Sequence, residues 1–360
     1  MMPAHCYRPM TSGSRRFFTA RAGCVFPDAA RFLCAVFLLA GPAFAAPPAP
    51  EKVLGPAACA ECHPNEIEAW KTSKHFKSLH LLHRTPEAAQ IVAKLGLQPM
   101  KTEQICMACH YLMKSGPAGP EIASAIACES CHGASADWAK THGDYGPGVK
   151  KATETAAHRA TRRAEAILRG MIDPQDIYGL GQNCYGCHAG QDEKLVNVGG
   201  HTPGSASFNL LTWSQGEVRH NVLGDEHRGN PEATPENKRR LLAVGWILEA
   251  EYSFRATARA TEKATYGVSY AKRADAARKM LEKINALAPT PQLAEILAIA
   301  RPVALKLNNA AELNAAADRI GQLGRAFSAE VTGAQLVPLD ALLPAADAYK
   351  GVPYQMAATP

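Results

Sequence analysis

Apolar and polar positions fall into three regimes along the chain. The first is an unbroken apolar run, Phe32 to Ala40, which follows Arg15, Arg16, Arg21 and Arg31 and precedes "GPAFAAPPAP". A basic stretch, a short apolar stretch and a small-x-small site ending at Ala45 make a secretory signal. The apolar run is about half the ~20 residues that a membrane span needs, so residues 1–45 are expected to be a cleaved leader, followed by a linker at 46–54. The second regime, residues 55–230, carries few strand signals and predicts short helices and long loops. Within it a helix is expected after Pro64, with Ile67, Trp70 and Leu79 as its apolar points. The third, residues 235–335, is rich in alanine and has no Cys or His. Thr234 before Pro235 and Thr290 before Pro291 are N-cap signals. Asn309 with Glu312 three residues on suggests a capping box, and Pro302 should kink or end its helix. These marks predict a bundle of three or four helices, with residues 336–360 as a tail. The fold class is mainly α.

Composition changes this picture in two places. The chain of 360 residues is 47% hydrophobic and 20% charged but only 7% aromatic, so something other than Phe, Tyr and Trp should supply flat apolar bulk. Five Arg and one Asp of the leader carry +4 of the formal +6, which leaves +2. That is too little for a nucleic-acid binder.

Cysteine changes it further. Three of the eleven cysteines, Cys6, Cys24 and Cys34, lie in the leader. The other eight form four pairs, Cys59/Cys62, Cys106/Cys109, Cys128/Cys131 and Cys184/Cys187. Each pair is followed at once by a histidine: His63, His110, His132 and His188. C-x-x-C-H is the attachment signature of c-type haem. Cysteines at i and i+3 share one side of a helical turn, where two thioethers can hold one porphyrin and the adjacent histidine can meet its iron. Zinc would not need a histidine after every pair, and exported thiols tend to oxidise. Four disulfides would leave the histidines unexplained, and thioredoxin-type pairs come singly. Four covalent haems are therefore expected. Such haem is joined to an unfolded chain outside the cytoplasm, so the protein is expected in the periplasm, and "SRRFF" is read as a chance likeness to a twin-arginine signal.

Four irons need ligands on their far sides. A helix rises 1.5 Å per residue, so His75, twelve residues after His63, would lie roughly 18 Å along a continuous helix and should serve another iron. His142, ten residues after His132, is expected to do the same. Four haems within residues 55–230 must pack close together and form much of the core.

Residues 55–230 resemble the tetrahaem cytochrome c-554 family. The likeness rests on "CAECHPNEIEAWKTSKH", a second isolated motif, "CESCHG" with a His about ten residues on, and a fourth motif with a distant His. It implies that His142 caps the first haem, His75 the third and His220 the fourth, with the second haem five-coordinate. His201, in "NVGGHTPGSASFNL", has no counterpart in that pattern, and His80 and His83 are extra as well; any of these three is a candidate ligand for the second haem or a replacement for His220. Met107 and Met113 are read as packing residues.

The function expected is single-electron transfer between redox partner proteins, with peripheral docking to a membrane complex as one arrangement. The alternative is a haem enzyme acting on nitric oxide or hydroxylamine at a five-coordinate haem. A third reading makes residues 235–335 a docking module.

Overall fold

Hydroxyl, acidic and proline residues interrupt the first two-thirds of the chain at short intervals, and the helices are short as a result. The computed structural model describes residues 47–204, 208–222 and 229–356; the leader at 1–45 lies outside them. Helices α1 (Ala57–Ala60), α2 (Pro64–Thr72), α3 (Lys74–Leu81), α4 (Pro86–Leu95) and α5 (Gln104–His110) are followed by a hairpin. Helices α6 (Cys128–His132), α7 (Ala139–Gly143), α8 (Ala156–Leu168), α9 (Ile177–His188), α10 (Glu193–Asn197) and α11 (Leu210–Ser214) come next. Ser73, Thr85, Thr155, Asp176, Asp192 and Asn209 each accept a bond from a backbone N–H of the turn they cap.

The helix expected after Pro64 is two helices. Thr72 and Ser73 turn their hydroxyls onto the carbonyls of Ala69 and Trp70, at 2.7 and 2.6 Å, and compete with the helical ladder. Ser73 then adopts an extended conformation and caps α3. His75 thus starts on a new axis.

The hairpin also departs from the expectation of helices and loops. β1 (Tyr111–Gly116) runs antiparallel to β2 (Gly119–Ala125), with Tyr111 opposite Ala125. It leaves directly from the second motif and is pinned by the Trp70 indole, whose N–H donates to the Ile126 carbonyl at 2.8 Å.

The bundle comprises α12 (Pro235–Arg259), α13 (Thr265–Leu287), α14 (Pro291–Ala300) and α15 (Ala310–Glu330). Thr234 and Thr290 cap α12 and α14 as their sequences predict, and α14 ends before Pro302. The capping box at Asn309 does not form: its amide donates to the Ala304 carbonyl at 2.9 Å instead of closing the helix start.

Apolar packing is uneven. One large cluster joins the bundle to Tyr178 and Tyr185 of α9 and to Leu210 and Leu211 of α11. Between residues 47 and 175 the described buried apolar side chains form only small groups, such as Val53 with Leu112 and Ala127, or Trp138 with Ala166 and Met171. That part of the chain has little apolar core of its own among its described side chains.

Four histidine pairs and their cysteines

The four C-x-x-C-H motifs sit on or at the end of short helices. The first runs out of α1 and ends at His63, which precedes Pro64 of α2. The second closes α5, the third is the whole of α6 and the fourth closes α9. A helical turn puts each pair of thiols on one side, as haem attachment requires. After the third motif the backbone needs Gly133, at φ +84°, because a Cβ there would lie 2.4 Å from the Gly170 carbonyl oxygen. The His132 Nδ1–H donates to the Ile172 carbonyl at 3.0 Å. Glu129, only 1% exposed, clamps this motif to the start of the chain. It accepts from the Leu54 and Gly55 amides at 2.9 and 2.7 Å and from the Ser135 amide and hydroxyl at 2.8 and 2.5 Å.

Each motif histidine faces a second histidine. Ring centres are 6.1 Å apart for His63 and His142, 6.3 Å for His110 and His201, 6.2 Å for His132 and His220, and 6.3 Å for His188 and His75. A metal–imidazole bond is about 2 Å long and a ring centre lies about 1 Å behind its nitrogen, so two rings on opposite faces of one metal stand ~6 Å apart. The spacing therefore fits one iron between each pair. Nδ1 is engaged elsewhere in several of them. His201 and His220 bond the Thr202 and Val218 carbonyls, both at 2.7 Å, and His63 contacts Glu66 at 3.6 Å. Such partners fix a ring's orientation and leave Nε2 for the metal.

These pairs change two ligand assignments that the family resemblance implies. His75 stands beside His188 rather than His132, and His220 beside His132 rather than His188. The break at Ser73 turns α3 away from the axis of α2 and carries His75 toward the end of α9. His201 faces His110, the site that the resemblance leaves open. His142 faces His63 as that resemblance implies. His83 instead lines a small cavity with Val92, Pro99 and Met100.

Electrostatics favour the neutral form of five of these rings. Burial lowers His110 and His188 to about 4, with His201 and His75 respectively the next contributors. Burial also lowers His75, His132 and His142. Contact with Glu66 raises His63. A neutral imidazole is the form that ligates a metal. Burial pushes the Cys131 thiol up to about 11 and Cys184 up to about 12, whereas contact with Cys187 and Cys59 respectively lowers Cys109 and Cys128. Among the described residues no group of three or more His, Cys, Asp or Glu side chains is placed to cage a metal ion, and all eight thiols are free.

The thiols also give the order of the sites. Cys59 of the first motif interacts with Cys128 of the third, Cys131 of the third with Cys184 and Cys187 of the fourth, and Cys187 with Cys109 of the second. Asn183 of α9 adds a bond to the Cys131 carbonyl at 2.7 Å. The sequence 1–3–4–2 is a single file.

Residues 58–133 match the family described as cytochrome c554 and c-prime. That stretch is similar to cytochrome c-554. It contains the first three motifs whole. Cytochrome c-554 of Nitrosomonas europaea is 27% identical over 141 residues, 36% of this chain and 54% of that protein. The chain thus spans about half the length of this curated relative. No solved structure matches the chain. A match to a cytochrome c family implies covalently bound haem c.

Proposed function

We propose that the protein is a periplasmic electron carrier with four haems, each held through two cysteines and between two histidines. The observation that carries this is the set of four ring-centre spacings, all between 6.1 and 6.3 Å. Cys59 and Cys62, Cys106 and Cys109, Cys128 and Cys131, and Cys184 and Cys187 provide the thioether links. His63, His110, His132 and His188 would hold the irons from the motif side, with His142, His201, His220 and His75 as the respective second ligands. Haem iron, when bound, supplies reversible one-electron exchange. Paired histidines would fill both ligand positions of each iron and leave none for a small molecule. The file of motifs sets the route, with the first and second motifs at its ends. Cys62 and His220 are exposed, and the other motif cysteines and paired histidines are at least partly covered.

His201 weighs against the enzyme reading. A reaction at iron requires an open position, and His201 occupies the place facing His110. No described helix is long and apolar enough to cross a membrane.

The test is electron paramagnetic resonance of the oxidised protein with carbon monoxide addition to the reduced form. Intact mass should show four added haems, with four low-spin centres and no carbon monoxide bound. His201→Ala should turn one centre in four high-spin and let one carbon monoxide bind. A wild-type protein that binds one carbon monoxide would restore the enzyme reading.

A further inference from the structure

The bundle has no cysteine or histidine, yet one buried charge pair joins it to the fourth site. Arg273 of α13 donates to Glu249 of α12 from Nε at 2.6 Å and from Nη2 at 2.8 Å. The two side chains are 10% and 8% exposed. Arg273 Nη1 reaches the Pro203 carbonyl at 3.4 Å, in the loop after the fourth motif. Gly204 shows how close the guanidinium comes to the ligand. A Cβ at Gly204 would lie 2.7 Å from Arg273 Nη1 and 2.1 Å from the His188 carbonyl oxygen. The two groups face each other across the glycine within about 5 Å of one another, a range at which charge acts strongly in a low-dielectric interior. Gly204 also sits at φ +67°, a conformation that suits glycine. The positive end of the pair is the one turned to the fourth motif: Glu249 takes Nε and Nη2 of the guanidinium, and Nη1 is the nitrogen that reaches the loop and Gly204.

We infer that Arg273 and Glu249 set the reduction potential of the fourth haem, and that the C-terminal bundle holds this charge pair in place. The inference rests on the proposed haem at Cys184, Cys187 and His188. An iron that gains an electron loses one positive charge. A fixed positive charge near it favours reduction and a fixed negative charge opposes it, and net local charge is one of the levers by which a protein sets haem potential. Arg273 is the nearer charge and Glu249 partly offsets it.

Potentiometric titration of the whole holoprotein reads this directly, with intact mass as the check on haem content. In Glu249→Gln the guanidinium stays charged, since arginine does not deprotonate in proteins, and one of the four one-electron steps should move to higher potential. In Arg273→Gln the nearer positive charge is gone whether or not Glu249 takes up a proton, and the same step should move lower. Arg273→Lys should bring it back toward the wild-type value. Opposite shifts from two partners of one pair do not arise from loosened packing. Shifts of equal sign, or no shift, in variants that keep four haems would overturn the inference. Should Arg273→Gln fail to mature, Glu249→Gln decides: a rise supports the inference, and an unchanged or lower potential overturns it. Loss of the underlying haem reading would show separately, as a wild-type mass without four haems.

Discussion

At the scale of single residues, the exchange of His75 and His220 has a direct consequence. His75→Ala should open the iron held by His188, and His220→Ala the iron held by His132. Each variant should show one high-spin centre. Adding Cys184→Ala and Cys187→Ala should abolish the high-spin signal of His75→Ala and leave that of His220→Ala. The reverse outcome would favour the pairing that the family resemblance implies. The motif cysteines and their histidines stand out in the sequence, because C-x-x-C-H fixes both residue type and spacing. The far-side histidines could be proposed from the sequence as residues, but the histidine that each one faces could not. A partner is chosen by the direction in which each short helix leaves its predecessor. That direction turned on two hydroxyls, Thr72 and Ser73, bonding to carbonyls one turn back. His201 lies in a glycine-rich loop with no periodicity, so only three-dimensional placement brings it opposite His110.

At the scale of elements, α7 and α8 form a clasp behind His142. Glu154, whose side chain has no exposed surface, contacts Arg162 at 2.7 Å and His158 at 2.8 Å. Arg162 donates in turn to the His142 carbonyl. Bonding to Arg162 holds the Glu154 carboxyl down at about 2, against an ordinary value of 4.5. A carboxyl with a depressed folded-state pKa adds stability that is fully present above its unfolded value and is lost as pH falls through the folded one. Resistance to urea should therefore decline between pH 4.5 and about 2. Glu154→Gln should flatten that decline and lower resistance at neutral pH, which unfolding midpoints measured at neutral pH and at about pH 3 would test. An unchanged acid limb in the variant would count against the clasp. The caps of α12 and α14 could be read from Thr-Pro pairs, which carry their own stereochemistry. The hairpin after the second motif could not, since "YLMKSGPAGPEIASA" lacks clean alternation and is stabilised by what it packs against.

At the scale of the whole molecule, the apolar core belongs mostly to the bundle and to the fourth motif. Tyr185 of α9 is 1% exposed and donates to the Gly245 carbonyl of α12 at 2.9 Å. Tyr270 of α13 bonds Gln191 at 2.5 Å, and Gln191 bonds the Cys187 carbonyl. A chain ending at residue 233 would uncover these groups and should lose the haem at Cys184 and Cys187. Intact mass with at most three haems is the expected result, and four retained haems would show that the fourth site stands without the bundle. The low aromatic content of the chain hinted that something other than Phe, Tyr and Trp fills the core of residues 55–230. It could not show that the bundle shares its core with α9, because that depends on long-range packing of alanine-rich faces that look alike in sequence. The histidine pairs have a topological consequence as well. Drawn as chords on the chain, 63–142, 75–188, 110–201 and 132–220 all cross one another. No chord can close as a self-contained loop, and none nests inside another. With an iron in each pair, as proposed, the polypeptide would be a knotwork whose ties are metal bonds. Each tie that forms shortens the loops left for the remaining three, so the last ligands should lock together, and removal of one iron should loosen the whole weave.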